Sequence, residues 1–189
     1  MKPPVESRSM LDCQNCGAPL KLEPERHYLF CEYCSALYFP KESPEGLILL
    51  GMPSKVDCPL CRQPLVLARV NSFEVLACQG CKGLLLDRVD FLPILDYLRL
   101  KHPERQRPPA PFKPQELTRE LRCPHCGERM ETYPYGGPGN VVLDNCLDCG
   151  ILWLDYDEIN RIVQTPERAT ETDQWLDITS IHVQDEDED

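Results

Sequence analysis

Twelve cysteines dominate the chemistry open to this 189-residue chain. They fall without remainder into six Cys-x-x-Cys pairs: Cys13/Cys16, Cys31/Cys34, Cys58/Cys61, Cys78/Cys81, Cys123/Cys126 and Cys146/Cys149. Intervals of 14, 16 and 19 residues separate Cys16 from Cys31, Cys61 from Cys78 and Cys126 from Cys146, whereas 23 and 41 residues separate Cys34 from Cys58 and Cys81 from Cys123. The pairs therefore group into three units of four cysteines, each in the order that brings two tight turns around one tetrahedral ion. Zn2+, which takes thiolate sulfur at about 2.3 Å, is the expected cofactor, one ion per unit and three per chain. Redox-active or disulfide pairs are the alternative, and the threefold spacing favours metal. Four sulfurs fill each site and leave no position for a reacting water, so the expected metal role is structural. His125 lies inside a knuckle and is read as a solvated residue; His27, His102 and His182 fit no ligand spacing.

Elements that could hold such sites repeat with the cysteines. Leu20, Leu65 and Met130 each stand four residues after a leading pair. The closing pairs are followed by Leu37-Tyr38-Phe39, Leu84-Leu85-Leu86 and Leu152-Trp153-Leu154, one apolar strand per unit. Between the pairs, Glu23-Pro24-Glu25, Asn71-Ser72 and Gly136 to Asn140 are turn sequences for a β-hairpin. Gly17, Gly127 and Gly150 follow a second cysteine, where positive φ is useful, while Ser35, Arg62 and Lys82 take that place in the other knuckles. A helix is expected from about Tyr156 to Gln164, with Asp155 as N-cap and Glu158 in the reciprocal capping position. Another is expected from Asp90, placing Pro93 in the first turn and Phe91, Ile94, Leu95 and Leu98 on one face. Pro40 occupies the corresponding place in the first unit, where no helix is expected.

The fold class is thus small metal-stabilised domains: three β-hairpin-rich four-cysteine ribbons, the second and third followed by a short α-helix. Ribbon one spans residues 11–52, ribbon two with its helix 56–100, a proline-rich linker 101–116, ribbon three with its helix 120–165, and an acidic tail 166–189. Units of this size seldom bury enough apolar surface to offset chain entropy, so zinc is expected to supply about 10–16 kcal/mol to each. The linker is read as a semi-rigid spacer that lets ribbon three fold independently and reach away from the others. The shorter join between ribbons one and two leaves room for them to pack together around Leu47 to Leu50.

Net charge is −11, with −12 on residues 117–189 and +3 on residues 99–116. Three loaded sites at −2 each bring the total to about −17. Direct nucleic-acid binding, which draws on clustered Lys and Arg, is disfavoured. No apolar run reaches the roughly 18 residues of a membrane span, and Met1 to Cys13 lacks a secretory core. A reducing cytoplasm is the expected compartment.

Cys123-Pro-His-Cys126-Gly, Cys146-x-x-Cys149-Gly-Ile-Leu-Trp-Leu-Asp155 and the helix around Glu158-Ile159 together resemble the small zinc-ribbon family named after general transcription factor IIB. The resemblance covers Cys123 to about Gln164, less strictly Cys58 to Leu100, and Cys13 to Phe39 as a degenerate copy without the helix. It implies zinc ribbons and, by the family's name, a link to transcription. No nucleophile and base, phosphate loop or carboxylate dyad stands out, so the chain is expected to be a non-enzymatic protein-interaction module. The alternative is a thiol-redox or zinc-dependent chaperone-like protein. Trp153 is expected to pack against its hairpin or, alternatively, to meet a partner. Residues 123–189 are the expected seat for a protein partner with a basic surface.

Overall fold

The computed structural model describes residues 12–23, 28–44, 46–103, 107–108, 110 and onward to 166. The acidic tail beyond Pro166, the Pro24–Glu25 turn, His27 and His182 lie outside the described residues.

Six knuckles built alike organise the chain. In each, the residue after the second cysteine donates its N–H to the carbonyl of the first: Gly17 to Cys13, Ser35 to Cys31, Arg62 to Cys58, Lys82 to Cys78, Gly127 to Cys123 and Gly150 to Cys146, at 2.8–3.0 Å. All six donors have positive φ, between 56° and 80°, including the three that are not glycine. The turn imposes this conformation whatever residue stands there, at a cost for an L side chain of about 1–2 kcal/mol.

In ribbon one, β1 (Lys21–Glu23), β2 (Tyr28–Phe30) and β3 (Leu37–Tyr38) form an antiparallel sheet in that order. Next come β4 (Leu47–Asp57), β5 (Pro64–Val70), β6 (Phe73–Ala77), β7 (Leu84–Asp87) and α1 (Phe91–Lys101). The third unit supplies β8 (Glu131–Pro134), β9 (Val142–Cys146), β10 (Ile151–Leu154) and α3 (Glu158–Gln164), preceded by α2 (Pro114–Thr118). Ribbons two and three do not stand apart. Their strands make one seven-stranded sheet in the order β4-β5-β6-β7-β10-β9-β8, joined where β7 runs antiparallel to β10.

The seam sets Leu84 opposite Leu154, Leu85 opposite Trp153 and Leu86 opposite Leu152. Leu85 and Trp153 each stand four residues beyond the last cysteine of their unit, so equivalent residues face one another and a local two-fold axis relates the two ribbons. Alternation along the strands divides the interior into two layers. Leu84, Leu86, Leu152 and Leu154 join Val75, Ile94, Leu98, Ile159 and Ile162 beneath the helices. Leu85 and Trp153 join Leu65, Met130 and the buried cysteines on the knuckle side. Trp153 is wholly buried, which removes it as an exposed partner contact.

The described residues of the linker are strapped to ribbon three, and with the shared sheet this corrects the expectation of an independent third ribbon. Arg107 donates its backbone N–H to Gln164 O at 3.1 Å and pairs through both guanidinium ends with Asp157, at 3.0 and 2.5 Å. From α3, Arg161 reaches back to the carbonyls of Ala110, Pro111 and Asn140. Proline limits the backbone to extended shapes, but carbonyls left free of secondary structure are good acceptors, and the two arginines use them.

Helix α1 starts after Asp90 with Pro93 in its first turn and buries Phe91, Ile94, Leu95 and Leu98, with Arg99 and Lys101 in the last turn. Half of the capping pair expected for α3 is present. Glu158 Oε2 accepts the Asp155 N–H at 2.7 Å, whereas the residue before the helix is Asp157, at φ 71°. The Asp155 carboxylate is engaged elsewhere, by Trp153 Nε1 at 2.9 Å and by Arg119. Tyr135 packs edge-on against Phe91, with ring centroids 5.5 Å apart, while Tyr133 remains partly exposed. Strand β4 belongs to the second ribbon's sheet through β5, and its Leu47 and Leu49 also line a cleft against ribbon one.

Gly83 tests the seam. Its φ is not positive, but an added Cβ would sit 2.2 Å from Trp153 Cζ2 and 2.9 Å from the Leu154 carbonyl. Gly83→Ala is expected to destabilise ribbons two and three together by about 1–3 kcal/mol in urea unfolding, with Trp153 fluorescence moving in the same transition. A change in one ribbon alone would contradict a shared core.

Candidate metal centres

The knuckles bring the twelve cysteines into three groups of four: Cys13, Cys16, Cys31 and Cys34; Cys58, Cys61, Cys78 and Cys81; Cys123, Cys126, Cys146 and Cys149. Within each group every sulfur lies within 4.8 Å of the others. The nearest cross-hairpin separations are 3.4 and 3.5 Å in the first group, 3.5 and 3.3 Å in the second and 3.6 Å in the third. These are far beyond a disulfide bond of about 2.05 Å. They approach the edge of about 3.8 Å that a tetrahedron with 2.3 Å arms requires.

Burial repeats too. The first cysteine of every pair is buried, the second of each leading pair (Cys16, Cys61, Cys126) is exposed, and the second of each closing pair is intermediate. Backbone N–H groups lean on the inner sulfurs: Cys61 on Cys58, Cys81 on Cys78 and His125 on Cys123, each at 3.4 Å. His125 itself is exposed. Ribbon one has an extra outer contact, the Tyr38 hydroxyl 3.2 Å from Cys13 Sγ. Burial raises the Cys13 thiol, but Tyr38 and the Cys16 and Asn15 N–H groups bring it down to about 6. Cys149, hydrogen-bonded to Cys126 and partly desolvated, is pushed up to about 12. So many sulfurs at this distance cannot all ionise unaided, and a divalent cation with a preference for thiolate is what the donor set fits.

Among the described residues a fourth group that could hold an ion is Glu116, Asp155 and Glu158. It lies between the strap and α3 and has its own partners. Lys113 pairs with Glu116 at 2.7 Å, and Arg119 bridges Asp155 and the wholly buried Asp144, whose other oxygen accepts from Thr132 at 2.5 Å. Glu158 is also wholly buried, and burial together with the charges of Asp155 and Glu116 holds its carboxyl up at about 7, against the N–H groups of Asp155 and Val142. This is a buried proton and ion-pair network. Glu158 was marked in the sequence only as a capping residue, and Glu116, Arg119 and Asp144 carry no periodicity or motif that would have singled them out for it.

Geometry and donor set define the class: four-thiolate structural zinc ribbons, built as hairpins closed by two knuckles. Residues 57–97 and 122–165 match the sequence profile of the family described as transcription factor zinc-finger. Ribbon one lies outside the matched segments and carries the third four-cysteine group. Among curated proteins and solved structures, none matches the chain.

An independent third ribbon would confine the effect of Cys123→Ser to the third ion, but the second and third share one core and the change should act on two sites. Zinc at Cys58, Cys61, Cys78 and Cys81 should be lost to a competing chelator about tenfold faster, a coupling near 1.4 kcal/mol, with the first site unaffected. Unaltered release from the second site would contradict that coupling. Glu158 gives a pH test. Its folded value of about 7 exceeds the ordinary 4.5. The native state therefore holds a proton that the unfolded chain gives up between those values, and stability from this group is lost as pH rises through the window. Glu158→Gln removes the titration but sets its amide N–H against one of the two backbone donors. It should therefore destabilise the zinc-loaded protein near pH 5 and lose that deficit, by about 2 kcal/mol or more, on going to pH 8. Urea unfolding across that range, compared between the two proteins, isolates the effect from the metal sites.

Proposed function

We propose that this zinc-binding chain is a non-catalytic interaction module that recognises a protein partner through a basic surface on that partner, in a transcription-associated setting. The observation that carries the reading is the filled donor set. Each centre offers four sulfurs to one ion and no vacant position at which substrate or water could be activated. The acidic balance adds direction. At −11, and about −17 with zinc, the chain repels phosphate backbones and attracts basic protein surfaces, which speeds encounter more than it adds affinity. The family's description supports the transcription setting.

A second reading is supported by the exposure of Cys16, Cys61 and Cys126, one open thiolate per centre. These are the sulfurs that an oxidant would reach first, and their oxidation would release metal.

Affinity capture with the full zinc-loaded chain from its own cell extract separates the two. The expected result is a specific basic protein, released by salt and absent when the bait has been stripped of zinc. Zinc retained under mild peroxide would accompany that result. Rapid zinc loss to peroxide with no partner captured would instead establish the redox reading.

A further inference from the structure

Ribbon one differs from its sisters in what covers its strands. Leu37 and Phe39 stand where Leu84 and Leu86 stand in ribbon two and Leu152 and Leu154 in ribbon three, third and fifth after the closing cysteine. The latter four are 7%, 3%, 1% and 0% exposed, whereas Leu37 and Phe39 are 50% and 67% exposed. On the neighbouring strand, Phe30 lies in register with Leu37, and the Tyr28 ring is 5.6 Å from that of Phe39. Tyr28, Phe30, Leu37 and Phe39 thus form an apolar strip, bordered on β1 by Lys21 and Glu23, which stand opposite Phe30 and Tyr28. In ribbons two and three the matching face is roofed by α1 and α3. In ribbon one Pro40 takes the place of Asp87 and Asp155, and the chain runs into β4 with no helix between.

We propose that this open face seats an amphipathic helix of a basic partner protein, on ribbon one in place of the seat expected from sequence on residues 123–189, a reading that rests on the interaction role proposed above and places its contact surface. The sister ribbons show what kind of element the face accepts. Helix α1 lays Phe91, Ile94, Leu95 and Leu98 on ribbon two, the spacing i, i+3, i+4 and i+7 of helix-in-groove recognition. The opposite face of the same sheet, with Leu29 and Tyr38, is turned toward β4 and is covered there by Leu47 and Leu49, which leaves the Phe30–Leu37 face as the open one. Charge selects the partner. Among the described residues of ribbon one, Asp12, Glu23, Glu32 and Glu42 outnumber Lys21 and Lys41; Glu32 is paired with Lys21 at 2.6 Å and Glu42 with Lys101 at 2.5 Å, so the acidic excess is small before metal is counted. A loaded zinc site adds a further −2. A second copy of this acidic chain brings like charge to the same rim, whereas a helix with Lys or Arg beside its apolar stripe complements it. The seat is small, so the complex belongs to the weak, transient class, with a dissociation constant of roughly micromolar.

The test uses the full zinc-loaded chain and a synthetic helix of about 14 residues carrying Phe, Ile, Leu and Leu at the α1 spacing with Lys elsewhere. A second peptide replaces every Lys by Glu. Fluorescence anisotropy should show micromolar binding of the Lys peptide and at least about tenfold weaker binding of the Glu peptide. The double variant Leu37→Thr/Phe39→Thr keeps charge and strand propensity and alters only exposed side chains. It should retain three zinc ions and lose about tenfold or more in affinity for the Lys peptide. Binding that is undetectable at about millimolar peptide, equal for both peptides, or unchanged in the double variant would overturn the proposal. So would a dimer in sedimentation that the double variant dissolves, because a second copy would then occupy the face. Repeating the extract capture with the double variant separates the two readings. A partner retained in full leaves the interaction role standing and removes this seat. Face-dependent peptide binding with no partner captured keeps the seat and removes the role.

Discussion

The pairing of β7 with β10 is the constraint on which the body of this protein depends. Each ribbon alone is a hairpin with an edge strand that is apolar on both faces, a surface no isolated unit of this size can bury. Placing the two edges together satisfies both rows of backbone groups and lets one helix from each ribbon roof a common layer. Because the meeting residues, Leu85 and Trp153, are equivalent in their units, the arrangement is that of a symmetric dimer carried within one chain. Zinc and the seam divide the work. The metal fixes the knuckle end of each hairpin, and the shared sheet fixes the rest.

Charge follows the same plan. The polar groups taken out of water are concentrated where the linker and α3 close over ribbon three: Arg119 with Asp144 and Asp155, and Arg161 with three carbonyls, while the Arg107–Asp157 pair stays half-exposed at the rim. A buried ion pair adds little over an apolar contact of the same shape, but losing one member costs about 3–5 kcal/mol, so such networks penalise alternative arrangements more than they stabilise the native one. Here the alternative they oppose is a linker swung away from the body. Glu158 pays no such ionic cost at low pH, where it keeps its proton.

How far the sequence could be read follows from how local each feature is. The cysteine tetrads, the strand after each closing pair, and α1 from Asp90 were legible because each rests on spacings of a few residues. Joining the ribbons was not, since β7 and β10 are separated by many residues and no composition rule names their partner. A trace was present even so. Leu84-Leu85-Leu86 and Ile151-Leu152-Trp153-Leu154 are apolar at every position, the mark of a strand covered on both faces rather than of a hairpin open to water on one. Proline content made the linker look free because it reports backbone stiffness and says nothing of which side chains will grip it. Asp155 has the composition of a helix cap, but Trp153 and Arg119 compete for the same carboxylate, and that competition exists only in three dimensions.

The seam also imposes an order on how the molecule comes into being. Leu84 to Leu86 leave the ribosome well before Ile151 to Leu154, so during synthesis ribbon two can take its metal while its outer edge has nothing to pair with. Contacts between such distant segments are slow to form, and an unpaired apolar edge is the surface through which nascent chains associate with one another. A chain released early, or stalled within the linker, would present that edge permanently. Zinc governs the maturation of each ribbon singly; completing the third ribbon is what turns two adhesive half-sheets into one continuous sheet.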